Sequence, residues 1–286
     1  MKKVKKVIVD LGNYVVKFKS DETIGKFSSK VHNNFEMNPE AYERVNYDGK
    51  LTFIGVGELD REYNKVAKNN IVPQVLYAIN KAFKNSEGLE VNLCLLLPLN
   101  QLPQKNILKE MFSNKTFEFL VNDEARKVKI NEVVVLPEAQ VSYYSIDNPS
   151  KYLLLIDIGS KTINWIAYQE GKAMMNGTER LGIYDLYDRI LQIENAKGEG
   201  FTQEEIEPQI NRKRIIVDEN VYKNFLKDIL NRIKAKINIK NHDVAFTGGG
   251  SIVLEKIIKK LDVKILDNPQ FTNVIGAYKI CESFWG

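Results

Sequence analysis

The sequence predicts a two-domain α/β protein in which each half opens with the same β-hairpin. Three observations carry that expectation. Leu153 to Tyr168, LLLIDIGSKTINWIAY, climbs through apolar residues to one carboxylate, Asp157. It breaks at Gly159 and the polar Ser160-Lys161-Thr162, then turns apolar again at Ile163, Trp165 and Ile166, which reads as strand, tight turn and strand. Val7 to Phe18, VIVDLGNYVVKF, repeats the pattern without a gap: Asp10 falls on Asp157, Gly12 on Gly159, Asn13 on Ser160 and Val16 on Ile163. Finally, a third strand and then helix-period segments follow both hairpins.

In the first half, Val4 to Val9 is a short β-rich run ending at Asp10, and Tyr14 to Phe18 is its return strand. Gly12 and Asn13 tolerate positive φ, so the tip can present backbone N–H groups. A third strand is expected over Lys26 to Lys30 and a loop over His32 to Glu40. Asp48-Gly49 between two alternating runs signals a hairpin, and the short strands of about 31–70 read as a small insert. Val72-Pro73 opens a helix with Val75, Leu76, Ile79, Ala82 and Phe83 on its apolar face, stopped by Gly88. Leu89 to Leu97 is apolar enough for a central strand covered on both faces. A helix over Pro103 to Phe112 and a hairpin turning at Asn122-Asp123, whose second strand runs from Ala125 to Val135, come next. Pro137-Glu138 then begins a short helix.

Asn148-Pro149 separates the halves. In the second, a strand over Ala173 to Asn176 follows the hairpin, and Ile183 to Leu191 is helical. Thr202 and Glu205 form a capping box for a short helix that stops at Pro208. Arg214 to Val217 reads as a strand and Glu219 to Ile237 as the longest helix. Asp243 to Thr247 is a strand leading into Gly248-Gly249-Gly250 and a helix over Ser251 to Leu261. A strand near Lys264 and a C-terminal helix from near Phe271 close the chain. Domain limits of 1–149, 150–270 and 271–286 follow, the last segment returning towards the first domain. Phe284 and Trp285 read either as an exposed contact or as packed on that domain.

Composition narrows the function classes. With 286 residues, 44% hydrophobic and 27% charged, the chain suits one large or two ordinary soluble domains. No apolar run reaches the length of a membrane span, and the basic N-terminus meets Asp10 too early for a signal peptide. A cytoplasmic protein without a membrane partner is expected, its two cysteines, Cys94 and Cys281, being buried thiols. The 41 basic and 37 acidic residues are well mixed, so no direct nucleic-acid binding is expected. His32 and His242 are isolated from any metal or triad spacing.

The chemistry concentrates at the two hairpins. Singly, an Asp-x-Gly is an ordinary turn; repeated, it places Asp10 and Asp157 as a pair able to hold hydrated Mg²⁺. The turn tips, with Gly12, Asn13, Gly159, Ser160 and Thr162, can offer backbone N–H groups to phosphates, with Lys17 and Lys161 adding charge. Gly248, Gly249, Gly250 and Ser251 end a strand and open a helix, either as a generous turn or as a place where a ligand approaches the backbone. A glutamate after proline, Glu138, is what a helix start favours electrostatically.

In their order, these loops and connecting helices resemble the actin, Hsp70 and sugar-kinase superfamily over nearly the whole chain. More narrowly, Gly55-Val56-Gly57-Glu58, Leu97-Pro98, Pro137-Glu138, Leu181-Gly182-Ile183-Tyr184-Asp185-Leu186 and Asn273-Val274-Ile275-Gly276-Ala277-Tyr278-Lys279 look like the plasmid-segregating bacterial actins of the ParM type. The resemblance implies an α/β actin-like (ribonuclease H-like) two-domain fold with duplicated mixed sheets and a nucleotide cleft. It implies ATP or GTP with Mg²⁺ as ligands, hydrolysis, self-assembly into filaments, and an adaptor protein bound to plasmid centromere DNA as partner. Glu138 then matches the residue that orients the attacking water, and Gly182 joins the nucleotide contacts. Asn13-Tyr14 stands where many relatives carry small hydroxyl residues. The span from Gly159 to Gly248 is short for an actin, so a trimmed outer subdomain is expected in the second half. Two alternatives stand beside this: a small-molecule kinase of the superfamily, for which no acceptor-site Asp is evident, and a nucleotide-binding scaffold that does not hydrolyse.

Overall fold

The same five-strand arrangement is built twice. The computed structural model describes residues 4–34, 36–60, 62–83 and 88–286. These divide into two compact units, Met1–Ser145 with Asn273–Gly286, and Ile146–Thr272.

In the first unit, β1 (Lys5–Leu11), β2 (Val15–Ser20) and β3 (Ile24–Ser28) form an antiparallel meander. They are followed by β4 (Val31–His32), β5 (Arg44–Tyr47), β6 (Lys50–Ile54), α1 (Ile71–Ala82), β7 (Leu89–Leu97), α2 (Lys105–Phe112), β8 (Lys115–Val121) and β9 (Glu124–Pro137). The nine-stranded sheet has the order β3-β2-β1-β7-β9-β8-β5-β6-β4, with β7 parallel to both β1 and β9. The strands of segment 31–70 thus extend the main sheet through β5 and β8. The continuous apolar run of β7 fits a strand between two parallel neighbours, whereas β2 alternates as a hairpin strand does. Helix α1 buries Val75, Leu76, Ile79 and Ala82 against this sheet, each larger side chain contributing about 1.5–3 kcal/mol.

The second unit repeats the plan with β10 (Tyr152–Ile158), β11 (Ile163–Gln169), β12 (Lys172–Glu179), β13 (Asp243–Thr247) and β14 (Lys264–Ile265), in the order β12-β11-β10-β13-β14. Among the described residues no strand lies between β12 and β13. That interval holds α3 (Ile183–Asn195), α4 (Gln203–Asn211) and α5 (Glu219–Lys234), and α6 (Gly249–Val253) and α7 (Glu255–Ile258) separate β13 from β14.

Several sequence expectations are corrected. Pro137 ends β9 rather than opening a helix, and a 3₁₀ turn begins only at Val141. Pro208 lies inside α4, where the Thr202–Glu205 capping box holds the start. Arg214 to Val217 is irregular; Arg214 and Ile215 donate backbone bonds to the Gln209 carbonyl in place of pairing with a strand. The helix after the glycines starts at Gly249 and breaks at Leu254.

The C-terminal helix α8 (Thr272–Trp285) completes the first unit from Asn273 onward. Asn273 Oδ1 accepts from Ala139 N and from Ser142 Oγ, both at 2.8 Å. Tyr278 donates to Asp21 at 2.9 Å, its ring lying under the ammoniums of Lys6 and Lys19. Trp285 donates to Glu132 at 2.9 Å while Phe284 is half exposed, so the two terminal aromatics divide the alternatives between them. Cys94 and Cys281 are fully buried free thiols, and burial with the neighbouring Cys281 thiol pushes Cys94 up. Asn273→Ala strips the acceptor from two buried donors. It is expected to cost about 2–4 kcal/mol in urea unfolding, and a loss below roughly 0.5 kcal/mol would contradict the role given to this amide.

Candidate functional site

Strand β1 delivers Asp10 to its C-terminal end, with Lys17 directly opposite on β2. Lys17 Nζ lies 2.7 Å from Asp10 Oδ2, and Lys65 Nζ lies 3.0 Å from Oδ1. The same Lys65 ammonium also bonds Glu138 Oε1. All three of Asp10, Lys65 and Glu138 are buried. Buried charges persist only when paired, and here two ammoniums face two carboxylates.

The pairing is uneven. Asp10 is desolvated by burial, but Lys17 and Lys65 outweigh that and hold its carboxyl well below the usual range. Burial dominates at Glu138 and pushes it up to about 7, the Asp10 carboxylate adding to the rise and Lys65 opposing it. Lys65 is desolvated too, yet its two carboxylates keep it firmly charged.

Glu138 reaches this position because β9 runs through to Pro137 and the Glu138 N–H extends the pairing to the Leu97 carbonyl at 2.8 Å. Ala139 then turns the chain at φ 60°, a left-handed conformation that is strained for a residue with a Cβ. Asn273 clamps that turn through the Ala139 N–H. Strain of this kind is a pointer to function when the surroundings enforce it.

At the first hairpin tip, Asn13 O accepts from Ser29 Oγ at 2.7 Å and Tyr14 O from Ser29 N at 3.1 Å. In a trans peptide the N–H points opposite to the C=O, so the Tyr14 and Val15 N–H groups are directed away from Ser29. Gly12 lies at the start of the same turn, close to the Val15 carbonyl.

The second unit holds Asp157 at the end of β10, buried, with the amide of Asn164 opposite where Lys17 stands in the first hairpin. The Gly159 and Ser160 carbonyls accept from Ile183 N at 3.1 Å and Tyr184 N at 2.9 Å, the first amides of α3. The Ser160 and Lys161 N–H groups therefore point away from α3. Gly182 makes this contact possible, since a Cβ there would sit 2.3 Å from the Ser160 carbonyl oxygen. Gly159 N bonds Thr162 O at 2.9 Å and closes the turn.

The glycine loop returns to the same carboxylate. Gly248 has φ 84°, and a Cβ on it would fall 2.2 Å from Asp157 Oδ1. Gly250 packs closely on Ile158, whereas an added Cβ on Gly249 would meet only Gln270, at 3.7 Å. Ser251 is buried and its hydroxyl donates to the Gly248 carbonyl at 2.7 Å, so it serves the loop itself.

Mg²⁺ fits these residues as a hard cation with oxygen donors. Asp157 offers a buried carboxylate beside a glycine that leaves room for it, and no cross-strand lysine. Asp10 already has an ammonium on each oxygen, so a metal or its waters would have to take the place of one of them. Among the described residues no group of three or more His, Cys, Asp or Glu could hold a metal alone. Sequence reasoning missed Lys65, Gln101 and the Asn273 clamp. Lys65 stands in a polar stretch without periodicity, and its partners are far away in the chain.

Residues 9–140 match the family described as the actin-like proteins N-terminal domain. A 15-stranded ParM filament from Clostridium botulinum shares the fold with TM-score 0.80 and 17% identity, over 99% of this chain and 100% of that one. A non-polymerisable quadruple mutant of pCBH ParM gives 0.79 and 18%, over 99% and 100%. The ADP complex of Ta0583, an archaeal actin homolog, gives 0.80 and 15%, over 97% and 99%. No curated protein matches the chain by sequence.

The raised Glu138 yields a pH test. The folded chain keeps this proton between 4.5 and about 7 while the unfolded chain releases it, so folding binds more protons there. Its contribution to stability therefore falls as pH rises through that window and levels off above it. Relative to Glu138→Gln, the wild-type protein should lose on the order of 2–3 kcal/mol of unfolding free energy from about pH 5 to pH 8. A flat difference across that range would mean Glu138 is ionised throughout.

Proposed function

We propose that this chain, an actin-like protein, is a Mg²⁺-dependent nucleoside triphosphatase that polymerises on ATP or GTP and uses filament turnover to segregate plasmid DNA. The observation that carries the reading is the buried Asp10–Lys65–Glu138 cluster beside an Asp-x-Gly hairpin, with a second such hairpin at Asp157 backed by a glycine loop. The fold shared with a ParM filament and with an ADP-bound archaeal actin homolog supports it.

In this reading the hairpin-tip amides of each unit take phosphate oxygens, and Lys17 and Lys161 add positive charge. Gly249 lets the nucleoside approach the glycine loop, whose Gly248 and Gly250 are closed against Asp157 and Ile158, with Gly182 and Thr162 at the neighbouring turn. Asp10 of the first unit and Asp157 of the second are the carboxylates that would hold Mg²⁺, which when bound neutralises charge developing on the phosphoryl oxygens. Glu138 accepts a hydrogen bond from the attacking water and orients it; with its pKa raised to about 7 it can also take that water's proton as the water oxygen bonds to the terminal phosphorus and the P–O bond to the departing nucleoside diphosphate breaks. Polymerisation follows if nucleotide-dependent rearrangement favours a head-to-tail contact between copies, which does not close into a ring. An adaptor protein bound to centromere DNA links the filament to its cargo, and the cytoplasm is where both meet.

Sedimentation across a concentration series with ATP, GTP, ADP and no nucleotide, paired with phosphate release, tests the reading. A polymer is expected above a critical concentration with at least one triphosphate. Asp157→Ala should lose Mg²⁺-dependent nucleotide binding, while Glu138→Gln should bind normally and release phosphate roughly 10²–10⁴-fold more slowly. A protein that stays monomeric throughout and phosphorylates a sugar or acid would be a kinase instead.

A further inference from the structure

We propose that Lys65 is the positioning residue of the hydrolytic site, a tethered cation that orients Glu138 and screens Asp10 until a divalent metal takes over that charge. The inference rests on the triphosphatase reading above and extends it to a residue outside the hairpin and glycine-loop motifs.

An ammonium is a compact point charge with three donors. Lys65 spends one on Asp10 Oδ1 at 3.0 Å and another on Glu138 Oε1. Its backbone is anchored as well. Lys65 N donates to Gln101 Oε1 at 2.9 Å, Gln101 Nε2 donates to Tyr63 O at 3.1 Å, and the Asn64 side chain caps the short 3₁₀ turn from Lys65 to Ala67. The side chain is thus aimed, not merely accommodated.

Structural compensation alone does not account for the arrangement. Asp10 already has Lys17 at 2.7 Å. Replacing the remaining Lys65–Glu138 pair by apolar side chains would remove two buried charges that cost more to desolvate than such pairs commonly return. The chain instead keeps the pair and accepts a left-handed Ala139 beside it. A carboxylate that must aim one oxygen at a water needs its other oxygen held, and Lys65 holds it. The same ammonium sits on an Asp10 oxygen that a metal's water shell would otherwise use.

The full-length protein with Lys65→Met, Lys65→Arg, Glu138→Gln and the Lys65→Met/Glu138→Gln double substitution tests this. Without nucleotide, Mg²⁺ alone should raise the melting temperature of Lys65→Met by several degrees more than that of the wild type, because in the variant Glu138 has lost its cation and Asp10 keeps only Lys17. With nucleotide, Lys65→Met should bind within about threefold of wild type at saturating Mg²⁺ yet turn over about 10²-fold more slowly. Adding Glu138→Gln should then cost little more, because the two residues act as one unit. Wild-type turnover in Lys65→Met, or independent losses in the double variant, would overturn the proposal while leaving the triphosphatase reading intact. If Lys65→Met does not fold, Lys65→Arg decides. It keeps the charge but not the point geometry, so binding should survive and turnover fall at least about tenfold; unchanged turnover refutes positioning. A wild-type protein without any hydrolysis would end the triphosphatase reading, and the Mg²⁺-only melting shift would still accept or reject the tethered cation.

Discussion

The first unit depends on one shared proton-bearing group, the Lys65 ammonium held between Asp10 and Glu138. Two carboxylates buried this deeply are tolerable only with cations in contact. Each member arrives from a different part of the chain: Asp10 from β1, Glu138 from the turn after β9, and Lys65 from the connection between β6 and α1. Assembling the cluster therefore requires the parallel β1-β7-β9 core, the Gln101 anchor and the Asn273 clamp together. Sheet order sets where the carboxylates end, and the loop supplies the charge that lets them stay there.

The two units share a strand order and differ in charge at equivalent places. Opposite Asp10 on its hairpin stands Lys17; opposite Asp157 stands Asn164, whose own amide oxygen accepts from Thr178 at 2.7 Å. Both hairpins carry the carboxylate at the strand end and a glycine two residues after it. Asp10 is an ion-paired member of a cluster, and Asp157 has a glycine loop as neighbour, so near that a Cβ on Gly248 would fall 2.2 Å from its oxygen. The same backbone device thus serves two electrostatic settings.

What was legible in the sequence follows from locality. The hairpins, the central strand β7, the capping box at Thr202 and the turns at Asp48-Gly49 and Asn122-Asp123 all rest on short-range pattern, and each stands in the structure. The resemblance to actin-like proteins rested on the order of such signals, and residues 9–140 and the fold bear it out. Glu138 stands out in the sequence, but on the wrong local premise. Pro137 reads as a helix start, whereas in the structure it closes β9 opposite Leu97 and leaves the bond to the Leu97 carbonyl to the Glu138 N–H. Pro208 misled in the opposite direction, since α4 continues past it to Asn211. Lys65 was invisible: a lysine in a polar segment looks like solvated surface until long-range pairing shows what it faces.

The left-handed Ala139 links the cluster to the C-terminal helix. A glycine would relieve the backbone strain, which for an L-residue amounts to about 1–2 kcal/mol, and would do so by widening the conformations open to the turn. Alanine instead leaves the strain in place, and the Asn273 side chain, bonded to both Ala139 N and Ser142 Oγ, overcomes it. The turn is consequently held from α8, while the carboxylate it presents is held from the β6–α1 connection by Lys65. Glu138 is the residue on which two separately anchored constraints converge, one on its main chain and one on its side chain. A buried carboxylate serving only to balance a lysine would need the second alone.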